Sequence, residues 1–468
     1  MIDQGRKFRV FLGSIAIVAG FRSRLIIPSK RSGLAALVAL LVVLWPLPYG
    51  SVTPSALLGL RVSAGLLLAL ALAVERDWER PLRLKWAVIG LAGLALLGWL
   101  QSAMWPHSIA SRISPRHVEL AGRVSQIGRT SEGVRLSVAP TASQSAAISA
   151  LSLVALLVVA SVVGRHARHR RLLAMAIMLS AVVQVLLGLR PWLSGTVPRL
   201  TGRFVNPDHL AVQLEIALCV GLVVLFGVLK TTRFGVATEF RLLLVAAVVL
   251  SLATLLIGLL ATGSRAGLLA AVAGLGVGVG LFVLSGPRSR FKWLEAGAGL
   301  ALLAGVLVLG RGIAFGSVDR LFASSWHDVG GGGRIRVWQQ AARLIEDFPW
   351  LGTGLGTFEE AFPTVQSADL TGILWGRAHN DFLELLITGG VIGCMLGLVV
   401  LVGLVGPLLA LVFRGWRTED RLAAVGALAA LTAVGIHEFF DFGASLPSNA
   451  ALLTVLCGAA LSARLTPK

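Results

Sequence analysis

Charge is scarce in this 468-residue chain: 14% of its residues are charged, against 56% hydrophobic. Mean hydropathy is +0.83. A soluble domain carries about 25% charged residues, so the composition excludes a water-soluble enzyme. The apolar residues fall into regular runs, which excludes a disordered chain. Cysteine is also rare. Cys219, Cys394 and Cys457 each lie inside an apolar run, without a CxxC pair or a nearby histidine cluster. That excludes a disulfide framework and argues against a zinc site. Lysine is limited to six positions, against 36 arginines. No acidic cluster has metal-ligand spacing. A short apolar segment at 8–21, flanked by Arg9, Arg22 and Arg24, lacks an A-x-A-like cleavage site and reads as an interfacial helix.

What the chain does have is long apolar runs. About 20 such residues make one membrane span. The runs predict an all-α polytopic membrane protein of about twelve transmembrane helices, near 33–49, 54–74, 86–105, 148–163, 172–190, 208–229, 242–261, 266–284, 293–310, 379–413, 421–440 and 449–463. The expected organisation is a cytoplasmic or interfacial segment at 1–32, and nine spans across 33–310 interrupted by a loop at about 106–147. A large loop at 311–378, three further spans at 379–463 and a tail at 464–468 complete it.

The formal charge of +19 is then a matter of topology. With a cytoplasmic N-terminus, the inner segments carry 26 Lys and Arg and the outer segments 15, which satisfies the positive-inside rule. Basic stretches at 76–85, 165–171 and 288–292 fall inside, and Arg61 lies within a span. Both termini are expected in the cytoplasm. All six lysines also fall inside, so every outward cation is an arginine. Codon usage accounts for that bias as readily as a site gripping phosphate oxygens bidentately does.

In the first outer loop, residues 117–124 and 133–138 alternate and predict a small β-hairpin. In the larger loop, the glycines at 330–333 read as a flexible hinge. An amphipathic helix is expected after them, with Ile335, Trp338, Ala342 and Ile345 on one face and Arg336, Gln340, Arg343 and Asp347 on the other. It is expected at the outer membrane boundary. Pro349 through Phe358 is glycine-rich, but no strand precedes it and no Gly-Lys-Ser/Thr ends it, so it reads as a tight turn and not a phosphate loop. The glycines at 274–280 suit close helix packing.

Polar groups collect at span ends on the predicted outer side. Arg203, Asn206 and Asp208 precede one span, where a helix N-terminus favours an anion. Arg265 sits in the tight connection 262–267, close to membrane depth, where a charge is functional by default. Arg334 leads the loop helix. Arg377, His379, Asn380, Asp381 and Glu384 open the long span at 379–413. His437, Glu438 and Asp441 precede Pro447-Ser448-Asn449 at another junction. An imidazole titrates near neutrality and can take a proton from an attacking hydroxyl. A lone histidine at a helix start is also a common cap, and Asp381 and Glu384 either orient it or cap the first turn.

The ordered set resembles the O-antigen ligase and O-antigen polymerase superfamily of bacterial inner membranes. The likeness is carried by Gly202-Arg203-Phe204-Val205-Asn206-Pro207, Thr262-Gly263-Ser264-Arg265, Gly333-Arg334 before Trp338, and Pro349 through Phe358. It continues through His379-Asn380-Asp381-Phe382-Leu383 to Asp441-Phe442 with Pro447-Ser448-Asn449-Ala450. It covers about residues 200–460; residues 1–190 match only as apolar spans and a loop.

The resemblance implies a metal-independent, inverting glycosyltransferase without a cofactor. Its donor would be an undecaprenyl-diphosphate-linked glycan and its acceptor a sugar hydroxyl on the periplasmic side. His379 matches the family's essential histidine, with Asp381 or Glu384 as fallback base. Arg203, Arg265 and Arg334 match basic positions placed with the donor diphosphate, joined by Arg377; Asn206, Asn380, His437 and Asp441 support them. The expected acceptor is a glycan, making the chain a polymerase of exopolysaccharide or O-antigen units, or else lipid A core, making it a ligase. Membrane lipids and other polysaccharide assembly proteins are further expected partners, and nucleic acid is not. A lipid-linked glycan transporter is the rival outside the enzymes, although the polar residues gather at one face and no half-chain repeat is visible.

Overall fold

The computed structural model describes residues 30–75, 83–126, 133–230, 238–285, 297, 331–370, 374–415 and 417–463. The expected helix at 8–21, the basic stretch at 288–292, most of that at 76–85 and the span at 293–310 lie outside these residues.

The fold is an all-α membrane bundle. Its principal helices are α1 (Lys30–Leu44), α2 (Pro54–Val74), α3 (Lys85–Ser102), α4 (His107–Ile113), α5 (Pro115–Gln126), α6 (Pro140–Val163) and α7 (Ala167–Leu193). They continue with α8 (Pro207–Lys230), α9 (Thr238–Thr262), α10 (Arg265–Ser285), α11 (Gly331–Asp347), α12 (Asp381–Arg414), α13 (Thr418–His437) and α14 (Pro447–Leu461). Among the described residues, nine helices are long and apolar enough to cross a membrane. Every expected span except 293–310 coincides with a helix. Prolines at the first helical position start α2, α6, α8 and α14, where a missing N–H costs nothing.

The centre of the bundle is α8, 78% buried across its span window, against 22% for α2. It packs on α9, α10 and α13, while α10 packs closely on α13. Small residues permit that approach: a Cβ on Gly274 of α10 would stand 2.7 Å from the Ala429 carbonyl oxygen of α13. Arg61, inside α2, donates from Nη2 to the Ser145 carbonyl and hydroxyl at 2.7 Å and to the Ser149 hydroxyl at 2.8 Å.

Three local expectations change. Residues 117–124 are not a strand but part of α5. His117, Leu120, Ala121 and Val124 recur at helical as well as alternating spacing, and Pro115 starts a helix. Arg116, Glu119 and Arg123 then pair at one-turn spacing on the other face. The strand at Val134–Arg135 pairs antiparallel with Met104–Trp105 instead. Second, the glycine run is not a separate hinge, because α11 already begins at Gly331. Third, α11 buries Val337, Ala341 and Leu344, continued by Phe348 just after it, a stripe rotated from the expected Ile335–Trp338–Ala342–Ile345 face. Phe358, Phe362, Ala378 and Ile387 complete a second apolar core under the loop. The loop thus folds on itself and on the first turns of α12.

The junction of loop and helix is made by backbone. Within α12, Gly390 leaves helical geometry (φ 62°, ψ −166°). Val391 N–H donates to the Pro349 carbonyl (2.9 Å) and Ile392 N–H to that of Trp350 (3.1 Å). In return Thr353 and Gly354 N–H donate to the Ile387 and Thr388 carbonyls at 2.9 and 3.0 Å. Polar backbone opened at membrane depth is thereby satisfied. Gln101 of α3 clamps the splice, its amide nitrogen on the Leu351 and Thr388 carbonyls (2.6 and 3.1 Å) and its amide oxygen on Leu355 N–H (2.9 Å). The glycine-rich 349–358 segment is this splice.

Candidate active site

The starts of α8, α12 and α14 and the end of α13 meet at one end of the bundle. Asp381 N–H donates to the Glu438 carbonyl at 3.1 Å. Asn449 donates its side-chain amide to the carbonyls of His209 and Gly443, both at 3.0 Å. On this frame His379 is held just outside α12. Asn380 is the N-cap, its Oδ1 accepting Leu383 N–H at 2.9 Å. His379 itself has φ +52°, a left-handed conformation uncommon for a residue with a side chain.

That geometry turns the imidazole toward α13's end. His379 Nδ1 lies 3.1 Å from Asp441 Oδ1. Asp441 is 1% exposed, and Oδ1 also accepts Phe442 N–H at 3.0 Å. Burial pushes this carboxyl up, but the His379 hydrogen bond and the charge of Arg334 outweigh it and hold Asp441 at about 2. It is therefore an anion throughout the physiological range. A carboxylate on Nδ1 fixes the tautomer and leaves Nε2 as a proton acceptor. The Phe442 ring lies edge-on to His379 (4.9 Å) and to His209 (4.6 Å).

Arginines surround the pair. Arg334 donates to the Phe440 carbonyl at 2.6 Å, one residue from Asp441. Arg377 lies 5.7 Å from the centroid of Phe442 and pairs with Glu384 at 2.6 Å. Glu384 also accepts Ala378 N–H at 2.9 Å. Arg203 is exposed; its guanidinium stands 5.1 Å over Tyr49 and its Nε lies 3.4 Å from the Leu47 carbonyl. Tyr49, like His379, has a positive φ. Arg265 is half-buried as the first residue of α10. The turn before α10 meets the turn before α8, because Arg199 joins the Thr262 carbonyl (2.5 Å) to Asp208 (2.6 Å). Asn206 closes that second turn by accepting Asp208 N–H at 2.9 Å.

The structure thus brings Arg334, Arg377, His379, Asn380, Asp381, Glu384 and Asp441 into one cluster. Arg203, Arg265 and Asn206 stand on adjoining turns. The carboxylate beside His379 is Asp441, not Asp381 or Glu384. Asp381 sits instead within 2.8 Å of the Ser445 hydroxyl. His437 is not at the cluster's surface: it forms a fully buried pair with Glu215 at 2.6 Å.

Three participants were given no role by the sequence, although Glu438 and Phe442 lie in the junction it picked out. Glu215 lies inside the apolar run of α8, and an ionisable residue within a span was itself the signal. Glu438 is buried beside Asp381, and burial together with that neighbour pushes its carboxyl well above the usual range. Phe442, the shared ring face, carries no chemical signature.

Fold and site together define a multi-pass membrane protein with a histidine–aspartate pair among arginines at one end of its bundle. Residues 250–398 match the family model described as O-antigen ligase. Over that stretch, which is less than half of its length, the chain is similar to the O-antigen ligase family. The matched stretch contains Arg265, Arg334, Arg377 and His379, while Asp441 lies beyond it. No curated protein matches the chain.

Proposed function

We propose that this protein transfers a glycan from an undecaprenyl-diphosphate carrier to a sugar hydroxyl on the periplasmic side of the bacterial inner membrane. The observation that supports this reading most is the His379–Asp441 contact within a ring of arginines. His379 Nε2 takes the proton of the acceptor hydroxyl as that oxygen bonds to the anomeric carbon. The bond from that carbon to the diphosphate breaks from the opposite face, so configuration inverts. The polyprenyl diphosphate leaves with the bonding electrons, and Arg203, Arg265, Arg334 and Arg377 stabilise its charge. Asp441 steadies the imidazolium. Glu384, tied to Arg377 and Ala378 N–H, holds the arginine rather than serving as base.

The acceptor is a second lipid-linked glycan, making the protein a polymerase of exopolysaccharide or O-antigen repeats; lipid A core is the second reading. Both termini are cytoplasmic in this proposal, and other assembly proteins supply the donor. Reconstituting the full chain with a lipid-linked oligosaccharide tests the reading. A ladder of longer lipid-linked products is the expected result. Modified lipid A core would establish a ligase instead, and transbilayer movement of unaltered donor would establish a transporter.

A further inference from the structure

A cavity of ≈ 240 Å³ opens at the other end of the bundle, lined by Arg165, His166, Ala167, Arg170, Arg417 and Asp420. It lies between the first turns of α7 and α13. The 20 residues of α13 separate it from the His379 cluster, a rise of about 30 Å or one bilayer core.

The wall is rigid and carries excess positive charge. Arg170, with 8% of its side chain exposed, pairs with Asp420 and donates to the Gly164 carbonyl at 2.7 Å. Asp420 spends its other oxygen on Arg417 N–H at 3.1 Å. Behind the wall, the fully buried carboxylate of Glu75 is shared by Arg31 (2.9 Å) and Arg165 (2.8 Å). Arg171 meets Glu419 at 3.8 Å. The lining itself sets three arginines, Arg165, Arg170 and Arg417, against the single carboxylate of Asp420. The N-caps of α7 and α13, His166 and Arg417, are both in the lining, so the positive ends of two long helices add to the field.

We propose that this cavity binds a phosphate ester. Guanidiniums held in place by carboxylates and carbonyls suit its oxygens, and the charge matches a phosphodiester or monoester. A phospholipid headgroup and a soluble phosphate share that chemistry. The lipid source is favoured by Met175, Leu179 and Leu186 of α7, which form an exposed apolar stripe on the helix that starts at the cavity. The proposal is independent of the catalytic reading, because its ligand and residues are at the opposite end.

Native mass spectrometry of the full chain in detergent, with phosphatidylglycerol or phosphatidylcholine added, provides the test. Titration with inorganic phosphate is the second arm. The variants are Arg165→Gln/Arg417→Gln and, as charge-matched control, Arg112→Gln/Arg343→Gln. Wild type and control are expected to prefer phosphatidylglycerol, and the cavity variant to bind it about tenfold less, the loss of one or two charge-assisted contacts. Arg417→Gln alone keeps the cap of α13, which uses the backbone N–H, and is expected to lose part of the affinity even if the double variant folds poorly. Phosphate binding without lipid preference, lost in the cavity variants, would uphold the site with a soluble ligand. Cavity variants that match the control in both arms would overturn the proposal.

Discussion

The two ends of the bundle are both rich in arginine, but they hold it differently. At the Arg170 end, buried carboxylates take the guanidiniums: Glu75 receives Arg31 and Arg165, and Asp420 receives Arg170. At the His379 end one arginine, Arg377, pairs with Glu384, but Arg334 donates to a carbonyl oxygen, and Arg203 stands over an aromatic ring and beside another carbonyl. A carbonyl orients a guanidinium without cancelling its charge. The carboxylates fasten helices together; the carbonyls and the ring leave Arg334 and Arg203 their full charge. A count of cations does not separate these roles, but the chemistry of each partner does.

Four experiments test this contrast and a fifth probes the loop, beginning with the largest expected effect. His379→Ala should abolish glycan transfer while leaving the protein inserted and folded. Asp441→Asn should lower kcat by a factor on the order of 10³–10⁴, the cost of losing a carboxylate that fixes a histidine tautomer. Full activity in His379→Ala would move the base to Asp381 or Glu384.

Arg265→Lys and Arg334→Lys keep the charge but lose the planar fork, and each should reduce transfer about 10²-fold. Lysine variants as active as wild type would show that the diphosphate is not gripped bidentately. At the other end, Glu75→Gln should destabilise the fold by about 3 kcal/mol, because it removes the anion from a buried group. Transfer per folded molecule should stay unchanged. Loss of activity without loss of thermal stability would erase the proposed division between the ends.

The smallest effect concerns pH. His117 is 3% exposed and lies 4.6 Å from the Phe348 ring. Burial lowers its pKa to about 4 from an ordinary value of 6.5. The folded state therefore favours the neutral ring. The stability from this site is complete above about 6.5 and is lost as pH falls toward about 4. Thermal unfolding at pH 7 and pH 5 should show that loss in wild type, and less of it in His117→Gln.

Much of the architecture was legible because a span must be apolar for about 20 residues, a long and redundant signal. The same redundancy hid Glu215, one carboxylate in a run otherwise read as hydrocarbon. The stretch 117–124 was ambiguous because eight residues satisfy both periods, and Pro115 with the Arg116–Glu119–Arg123 spacing decided for helix. His379 and the junction arginines stood out as ionisable groups at span ends. The assignment of Asp441 to His379 was not legible: 62 positions separate the two residues, while Asp381 and Glu384 lay within one turn. Only the closure of α13 against α12 chooses among them.

The splice at Gly390 bears on how this chain can be re-engineered. Segment 349–358 supplies the hydrogen bonds that the interrupted helix lacks, so it belongs structurally to α12 although it lies in the loop. A Cβ at Gly390 would stand 2.4 Å from the Trp350 carbonyl, and Gln101 reads both strands of the junction. A graft intended to change acceptor choice should therefore cut on the C-terminal side of Phe358 and before Arg377, leaving the splice intact. A graft that carries 349–358 needs its own helix break and its own partner for Gln101, and without them the exchange would leave the interrupted backbone of α12 unpaired.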